Sequence, residues 1–489
     1  MALHQLLDHM KKSAALGQVA GIISWDQETM MPEKGAAQRA EQTGVLAALG
    51  HQLNSDPRIP EWIDAIDQTK ISEFDKVNIS EAKRSYEQAT KVPEQLAQTI
   101  AKASAEGQMI WAKAREASDF KMFAPALEKL VELKREKAKC LSENQGNPYD
   151  TLLDQFEPGA KTETLLPLLE SLRAPLVALR EAIADKPAPK GFEGHFDRQQ
   201  QLALTTKLAK QLGYDFEAGR IDMSTHPFSS GGSGDSRITT RIDEKDPLNC
   251  LYSTAHEVGH ALYAQGAPDP FMPAAQYCSM GVHESQSRFW ENQIARSQPF
   301  AEWLYPEMKA HFPDMEINSP EAYYRAVNKV ETGFIRTEAD EVHYNLHVLL
   351  RFELEQELIA GNMEIKDLEG EWNKRFKHYF GLEVQDVKLG VLQDVHWSVG
   401  LFGYFPTYSL GNIYSACLDD AMRKDMPQRD ADIAKGETTK TLNWLREKIH
   451  HKGKLLSAQD LIQSATGEVP SAKPLIEYLE NKFGELYAL

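Results

Sequence analysis

From Met1 to about Leu212 apolar residues recur at spacings of three and four. Between them run Glu- and Lys-rich stretches such as Glu128 to Lys139. This predicts a succession of amphipathic helices whose charges face solvent. The period changes after the turn-like run Ser229 to Gly234. Arg237-Ile238-Thr239-Thr240-Arg241-Ile242 alternates and is rich in β-branched residues, which predicts a strand. Helical spacing returns at Asp246. Asp246-Pro247 supplies an N-cap and a proline at the first helical position, and Gly266 supplies a stop. Leu248, Leu251, Ala255, Val258 and Leu262 form one buried stripe between them. Ser319-Pro320 opens a further helix, predicted to reach about Gly361 with a break near Gly333. The expected fold class is mainly α, with a small β-sheet beside the helix that starts at Pro247.

At 489 residues and 42% hydrophobic content the chain can bury a large core. Length alone suggests about three domains. No low-complexity linker and no internal repeat divides it, so residues 1–489 are read as one unit, with a mainly helical part over 1–212 and a second part over 213–489. The Pro-rich stretch Asp185 to Gly191 is read as a loop between them. No run of 18 apolar residues occurs, so no transmembrane helix is expected, and Asp8 argues against a signal peptide. Cys140, Cys250, Cys278 and Cys417 are scattered without a C-x-x-C pair, which favours reduced thiols and a cytoplasmic protein. Cys250 reads as a packing residue. The net charge of −18 argues against nucleic acid or an anionic membrane as partner.

Within the stripe-bearing helix lies His256-Glu257-Val258-Gly259-His260, an H-E-x-x-H run. Two histidines four apart share one helix face, so both imidazoles can reach one ion, and Glu257 points beside it as a candidate proton acceptor. Chance alone places such a run in on the order of one chain in a hundred of this length, so context decides. Here the histidines lie roughly 140° around the helix from the stripe, which leaves them free of the core. A helix with two surface histidines is the plain alternative. Zinc on two histidines needs a third protein ligand. Glu284 and Glu291, seven apart in the next helical segment, are both candidates, and spacing does not separate them.

Further runs carry a resemblance. They are Asp235-Ser236-Arg237-Ile238-Thr239, His283-Glu284-Ser285-Gln286, Ile335-Arg336-Thr337-Glu338-Ala339-Asp340 and Gly390-Val391-Leu392-Gln393-Asp394-Val395-His396-Trp397. In this order, with the opening segment Trp25 to Pro32, the chain resembles the carboxypeptidase Taq family of zinc metallocarboxypeptidases over nearly its whole length. The resemblance implies Glu284 as third metal ligand and a large helical metallopeptidase with a deep substrate groove. It also implies a homodimer acting on short peptides with a free C-terminus, and a strand 237–242 that serves as an edge pairing with the substrate backbone. An ordinary short hairpin is the alternative for that strand. The cofactor implied is one divalent ion, zinc first, although two histidines and a carboxylate also accept cobalt or manganese. An endo-oligopeptidase or dipeptidase on the same chemistry is the competing activity. A non-catalytic peptide-binding protein is the competing class, and the intact Glu257 argues against it.

Four side chains are nominated for the substrate. Arg336 suits a terminal carboxylate because its guanidinium is a planar two-donor fork, and Arg237 is the rival anchor. The bland reading of Arg336 is an ion pair with Asp340 one turn along the same helix. His396 and Tyr408, in a Gly-, Tyr- and Pro-rich segment, are the nominees for a donor aimed at the developing oxyanion. Trp397 and Phe405 read as packing. His343 and His347 form a second pair four apart, read as structural histidines or supports of the site.

Overall fold

The computed structural model describes residues 1–489. Helices dominate from end to end, and the strands form one small sheet. Two apolar cores exist. Leu6, Met10, Ile59, Ile79 and Ala82 make a small one within the N-terminal helices. A large one joins residues from Ala114 to Tyr487. The helix Ala36–Asn54 buries none of its residues.

The sheet comprises β1 (Gly219–Met223), β2 (Ser229–Gly232) and β3 (Asp235–Thr240), in the order β1-β3-β2. β1 runs parallel to β3 and β2 antiparallel to it. This corrects the sequence reading in three ways. The Ser229–Gly232 run, expected as part of a turn, is itself a strand. The strand expected at an edge is the central one, bonded on both sides, so the exposed edges belong to β1 and β2. The strand also spans Asp235–Thr240 rather than 237–242, and its second half is buried on successive residues, as a central strand's is. The Ser and Gly of β2 hid its partner, because they carry no β signal. Gly231 takes φ +104, and a Cβ there would strike the Asp235 backbone, so the tight β2–β3 turn needs glycine.

The sheet docks on the helix Pro247–Gln265, where Thr254 donates to Thr240 Oγ1 at 2.9 Å. That helix begins as expected: Asp246 accepts from the Leu248 amide at 3.0 Å and Pro247 occupies the first turn. Gly266 ends it for a different reason than a left-handed turn. Its backbone is right-handed, φ −82, and a Cβ would lie 2.5 Å from the His450 ring. The Asp185–Gly191 stretch is loop, and the helix Arg198–Leu212 that follows packs against Pro247–Gln265.

The helix opened by Ser319-Pro320 stops at Val327. Residues 328–340 are irregular apart from a short turn at Arg336–Glu338, and a new helix runs from Glu341 to Ala360. The break is thus wider than a single glycine. Asp340 is the N-cap of the second helix, accepting from the Val342 and His343 amides, so the intrahelical Arg336–Asp340 pair that is the plain alternative for Arg336 does not form.

A groove of about 910 Å³ opens between the N-terminal helix Ala2–Thr29 and the rest of the molecule. Ser230 to Gly232 and Arg237 line one wall, and Gln18 and Ile22 line the other. Its inner end reaches Phe156, Tyr277, Met280 and Tyr404. No helix is long and apolar enough to cross a membrane.

Candidate metal centre and active site

The helices Pro247–Gln265 and Met280–Arg288 cross at Gly259, where a Cβ would come within 2.5 Å of the Gln286 carbonyl oxygen. That close approach brings Glu284 to the two histidines. Its Oε2 lies 3.6 Å from His256 Nε2 and 3.4 Å from His260 Nε2. One donor atom from each of the three residues falls within 4.8 Å of the others. Gly411, on the helix Pro406–Asp425, backs Glu284 so closely that a Cβ would sit 2.7 Å from the glutamate Cβ.

The other ring nitrogens are occupied. His256 Nδ1 bonds Glu291 Oε2 at 2.9 Å, and His260 Nδ1 lies 3.1 Å from the His283 carbonyl oxygen and 2.6 Å from His283 Nδ1. Burial pushes the His283 ring well below the usual histidine range, so it is neutral. Acceptors at Nδ1 leave both Nε2 atoms as lone-pair donors facing Glu284. Burial alone would raise Glu284, but His256 and Arg288 outweigh it and hold the carboxyl well below its ordinary range. Two imidazole nitrogens and an ionised carboxylate, each oriented by a second partner, fit a divalent ion.

Glu291 is brought round to His256 by a π-helical stretch, Phe289–Ala295, that continues the Glu284 helix. Burial acts upward on its carboxyl, yet Arg288 and His256 bring it down to about 2. Arg288 donates from Nε to Glu284 Oε1 at 2.9 Å and from Nη1 to Glu291 Oε2 at 3.1 Å. Arg288 lies four residues after Glu284, so its spacing was a visible signal that the sequence reading did not use. Glu257 is buried, and that burial raises its carboxyl above the ordinary value.

Arg336 is buried at 5% exposure and belongs to a second cluster. Its Nε donates to Asp394 Oδ1 at 2.9 Å and its Nη1 to Tyr344 OH at 3.1 Å. Arg351 donates to the other Asp394 oxygen at 2.6 Å. Two buried guanidiniums therefore share one carboxylate. Burial alone would raise Asp394, but Arg351 and Arg336 hold it well below the carboxylate range. His347 Nδ1 lies 3.4 Å from Arg351 Nη1, and His343 bonds Asp340, so neither of this pair joins the metal cluster. His396 Nε2 lies 3.3 Å from Tyr408 OH, and the Arg336 guanidinium sits 4.9 Å from the Tyr408 ring centre. Burial brings His396 down to about 4 and keeps Tyr408 well above its usual value, so both are neutral hydrogen-bond donors at neutral pH. Tyr344 joins the clusters, its ring 4.4 Å from the Arg288 guanidinium.

Arg237 lies elsewhere. It forms a two-pronged pair with Asp235, 2.8 Å on each prong, and stacks on Trp25 at 4.4 Å. It ties the N-terminal helix to the sheet on the groove wall. Asp394 lies in one of the runs that carry the resemblance, but the sequence reading gives it no role. Arg351 and Tyr344 have no local signal, since Arg351 pairs 43 residues away and Tyr344 meets Arg336 across a loop.

A helical shell, a groove and a histidine–histidine–glutamate cluster with a buried glutamate beside it define a metallopeptidase. Comparison with known proteins narrows this. Residues 5–483 match the family described as carboxypeptidase Taq (M32) metallopeptidase. Thermostable carboxypeptidase 1 of Thermus thermophilus is 40% identical over 506 aligned positions, 99% of each chain. Carboxypeptidase 1 of Bacillus subtilis is 36% identical, covering 99% of this chain and 98% of its own. The crystal structure of the M32 carboxypeptidase from Deinococcus radiodurans superposes with a TM-score of 0.97 at 36% identity over 100% of both chains. The chain belongs to the carboxypeptidase Taq (M32) family of metallopeptidases. It is a peptide hydrolase whose family requires a divalent metal.

Proposed function

We propose that the protein removes single residues from the free C-terminus of peptides with zinc held by His256, His260 and Glu284, cobalt being the alternative ion. The observation that carries this is the convergence of both Nε2 atoms on Glu284 Oε2 while both Nδ1 atoms have partners. Bound there, the ion supplies Lewis acidity to the scissile carbonyl and acidifies water. Glu257 takes the proton from the attacking water and passes it to the leaving amine, a role supported by its buried place next to His256 on the same helix. His396 and Tyr408 donate to the developing oxyanion. Arg336 pairs with the substrate carboxylate. Support comes from the arrangement in which Arg336 and Arg351 share Asp394, a buried excess of positive charge that an arriving carboxylate balances. Arg237, committed to Asp235 and Trp25, is the weaker anchor.

Two further readings accompany this one. A homodimer is supported by large apolar side chains left exposed on the first two helices, among them Val19, Val45 and Leu49. A cytoplasmic location is supported by four free thiols. The test of the activity is a panel of matched C-terminal acid and amide peptides, digested before chelation, after it, and after zinc or cobalt is restored. Release of one residue at a time from acids only, abolished by chelation, is expected. Internal cleavage, or equal cleavage of amides, would point to the endo-oligopeptidase.

A further inference from the structure

One ten-residue segment touches both arms of the site. It begins with the short helix Pro148–Leu153 and ends at Glu157. At its start, Tyr149 donates to Glu355 Oε2 at 2.7 Å. Glu355 is fully buried and also accepts from Trp397 Nε1 at 2.8 Å and the Gly403 amide at 3.0 Å. Gly403 takes φ +85, and a Cβ there would lie 2.7 Å from the Leu153 nitrogen. The loop after the His396 turn is thus laid on this helix at Gly403, and the turn itself is tied to it through Glu355, which bonds both Trp397 and Tyr149. At the other end, the Phe156 carbonyl accepts from the Met280 amide at 2.9 Å and Glu157 Oε2 accepts from the Gly281 amide at 3.0 Å. Those amides belong to the first turn of the helix that carries Glu284, a turn with no acidic residue of its own.

Glu157 is 2% exposed, and its Oε1 has no hydrogen-bond partner. A buried carboxylate with an unmatched oxygen costs stability, so packing does not account for it. An acceptor at a helix N-terminus does, because Oε2 satisfies the Gly281 amide, one of the amides the first turn leaves free.

We propose that segment Pro148–Glu157 is the bracket that fixes the Glu284 helix and the His396 turn relative to each other, with Glu157 and Glu355 as its positioning residues. This rests on the reading of Glu284 as a metal ligand and His396 as an oxyanion donor. The two ends have separable effects: Glu157 acts on metal retention, and Glu355 acts on turnover.

The experiment compares Glu157→Ala, Glu157→Gln, Glu355→Ala, Gly281→Ala and His256→Ala with wild type. Zinc affinity is read by competition with a chelator, kcat and KM on a free-acid peptide, and melting temperature alongside. Glu157→Ala should lose about ten- to a hundredfold in zinc affinity while still folded. Glu157→Gln should recover most of it, because the amide oxygen still accepts from Gly281. Gly281→Ala presses on the same contact, its Cβ 2.8 Å from Glu157 Oε2, and should weaken zinc binding even if Glu157→Ala fails to fold. Glu355→Ala should keep wild-type zinc affinity and lower kcat about tenfold with little change in KM. Normal zinc affinity in Glu157→Ala, or Glu157→Gln no better than Ala, overturns the bracket. So does a loss of zinc affinity in Glu355→Ala as large as in Glu157→Ala. Full zinc retention by His256→Ala overturns the metal reading itself, and the inference with it.

Discussion

Glu291 accepts from His256 through Nδ1, at 2.9 Å, while Nε2 of the same ring faces Glu284. The two glutamates are seven apart in sequence and serve opposite nitrogens of one imidazole. Glu284→Ala should therefore abolish zinc retention after dialysis. Glu291→Ala should still load at excess zinc, with affinity about ten- to a hundredfold lower, the usual effect of removing a group behind a metal-binding histidine. Metal analysis at graded free zinc separates the outcomes. Equal retention by both variants would sink the assignment.

Glu257→Gln matches the shape of the glutamate and cannot take a proton. It should keep zinc and lose turnover by at least about a hundredfold. The check is kcat measured beside metal content. Near-normal kcat at full occupancy would remove Glu257 from the mechanism.

The metal half of the site was legible because its geometry is local. H-E-x-x-H on a capped, striped helix places both imidazoles without any tertiary information. Spacing did not separate Glu284 from Glu291, and only the motif resemblance pointed to Glu284; the Gly259 crossing and the π-helical stretch show the geometric difference between them. The substrate side was least visible. The sequence nominates Arg336 as the carboxylate anchor, with a helical ion pair as the plain alternative; that pair is absent, because Asp340 caps a new helix and Arg336 turns to Asp394, 58 residues away. The helix Pro247–Gln265 followed from period and caps, and a strand near Arg237 from alternation, though not its central place in the sheet. β2 did not, since Ser229–Gly232 carries no side-chain pattern for a strand.

Arg336→Ala should cost at least about tenfold in kcat/KM on free-acid peptides, the worth of one charge-assisted bond, and little on the matched amides. Arg237→Ala should change acid and amide alike, since that guanidinium holds Trp25 and Asp235. Kinetics on acid and amide pairs decide. If only Arg237→Ala removes the preference for acids, the anchor is on β3.

Burial pushes the Glu355 carboxyl up to about 7, against about 4.5 for a free glutamate. A carboxyl raised on folding binds more protons in the native state, so its contribution to stability is full below about pH 4.5 and fades as pH rises through 7. Glu355→Gln removes that titration. Between pH 4.5 and 8, wild-type stability should fall relative to the variant by on the order of 2–3 kcal/mol. Denaturant midpoints across that range test it, and parallel curves would refute it.

Gly411→Ala should push Glu284 from behind. Overpacking of this kind costs about 1–3 kcal/mol, and it acts here on a candidate ligand. Zinc affinity should drop with the melting temperature, and calorimetry with and without added zinc should show the larger deficit in the zinc-loaded protein. Equal deficits in both states would assign the cost to packing alone.

The small N-terminal core has an energetic consequence for the groove. Five buried apolar residues hold the first helices together, and one of those helices buries nothing. Cooperative opening of this layer exposes little surface compared with unfolding the large core. Its amides should exchange with solvent deuterium far sooner than those of Pro247–Gln265. Because Ala2–Thr29 forms a wall of the groove, that wall belongs to the layer expected to open most readily. A peptide spanning the groove should slow exchange in the N-terminal layer selectively.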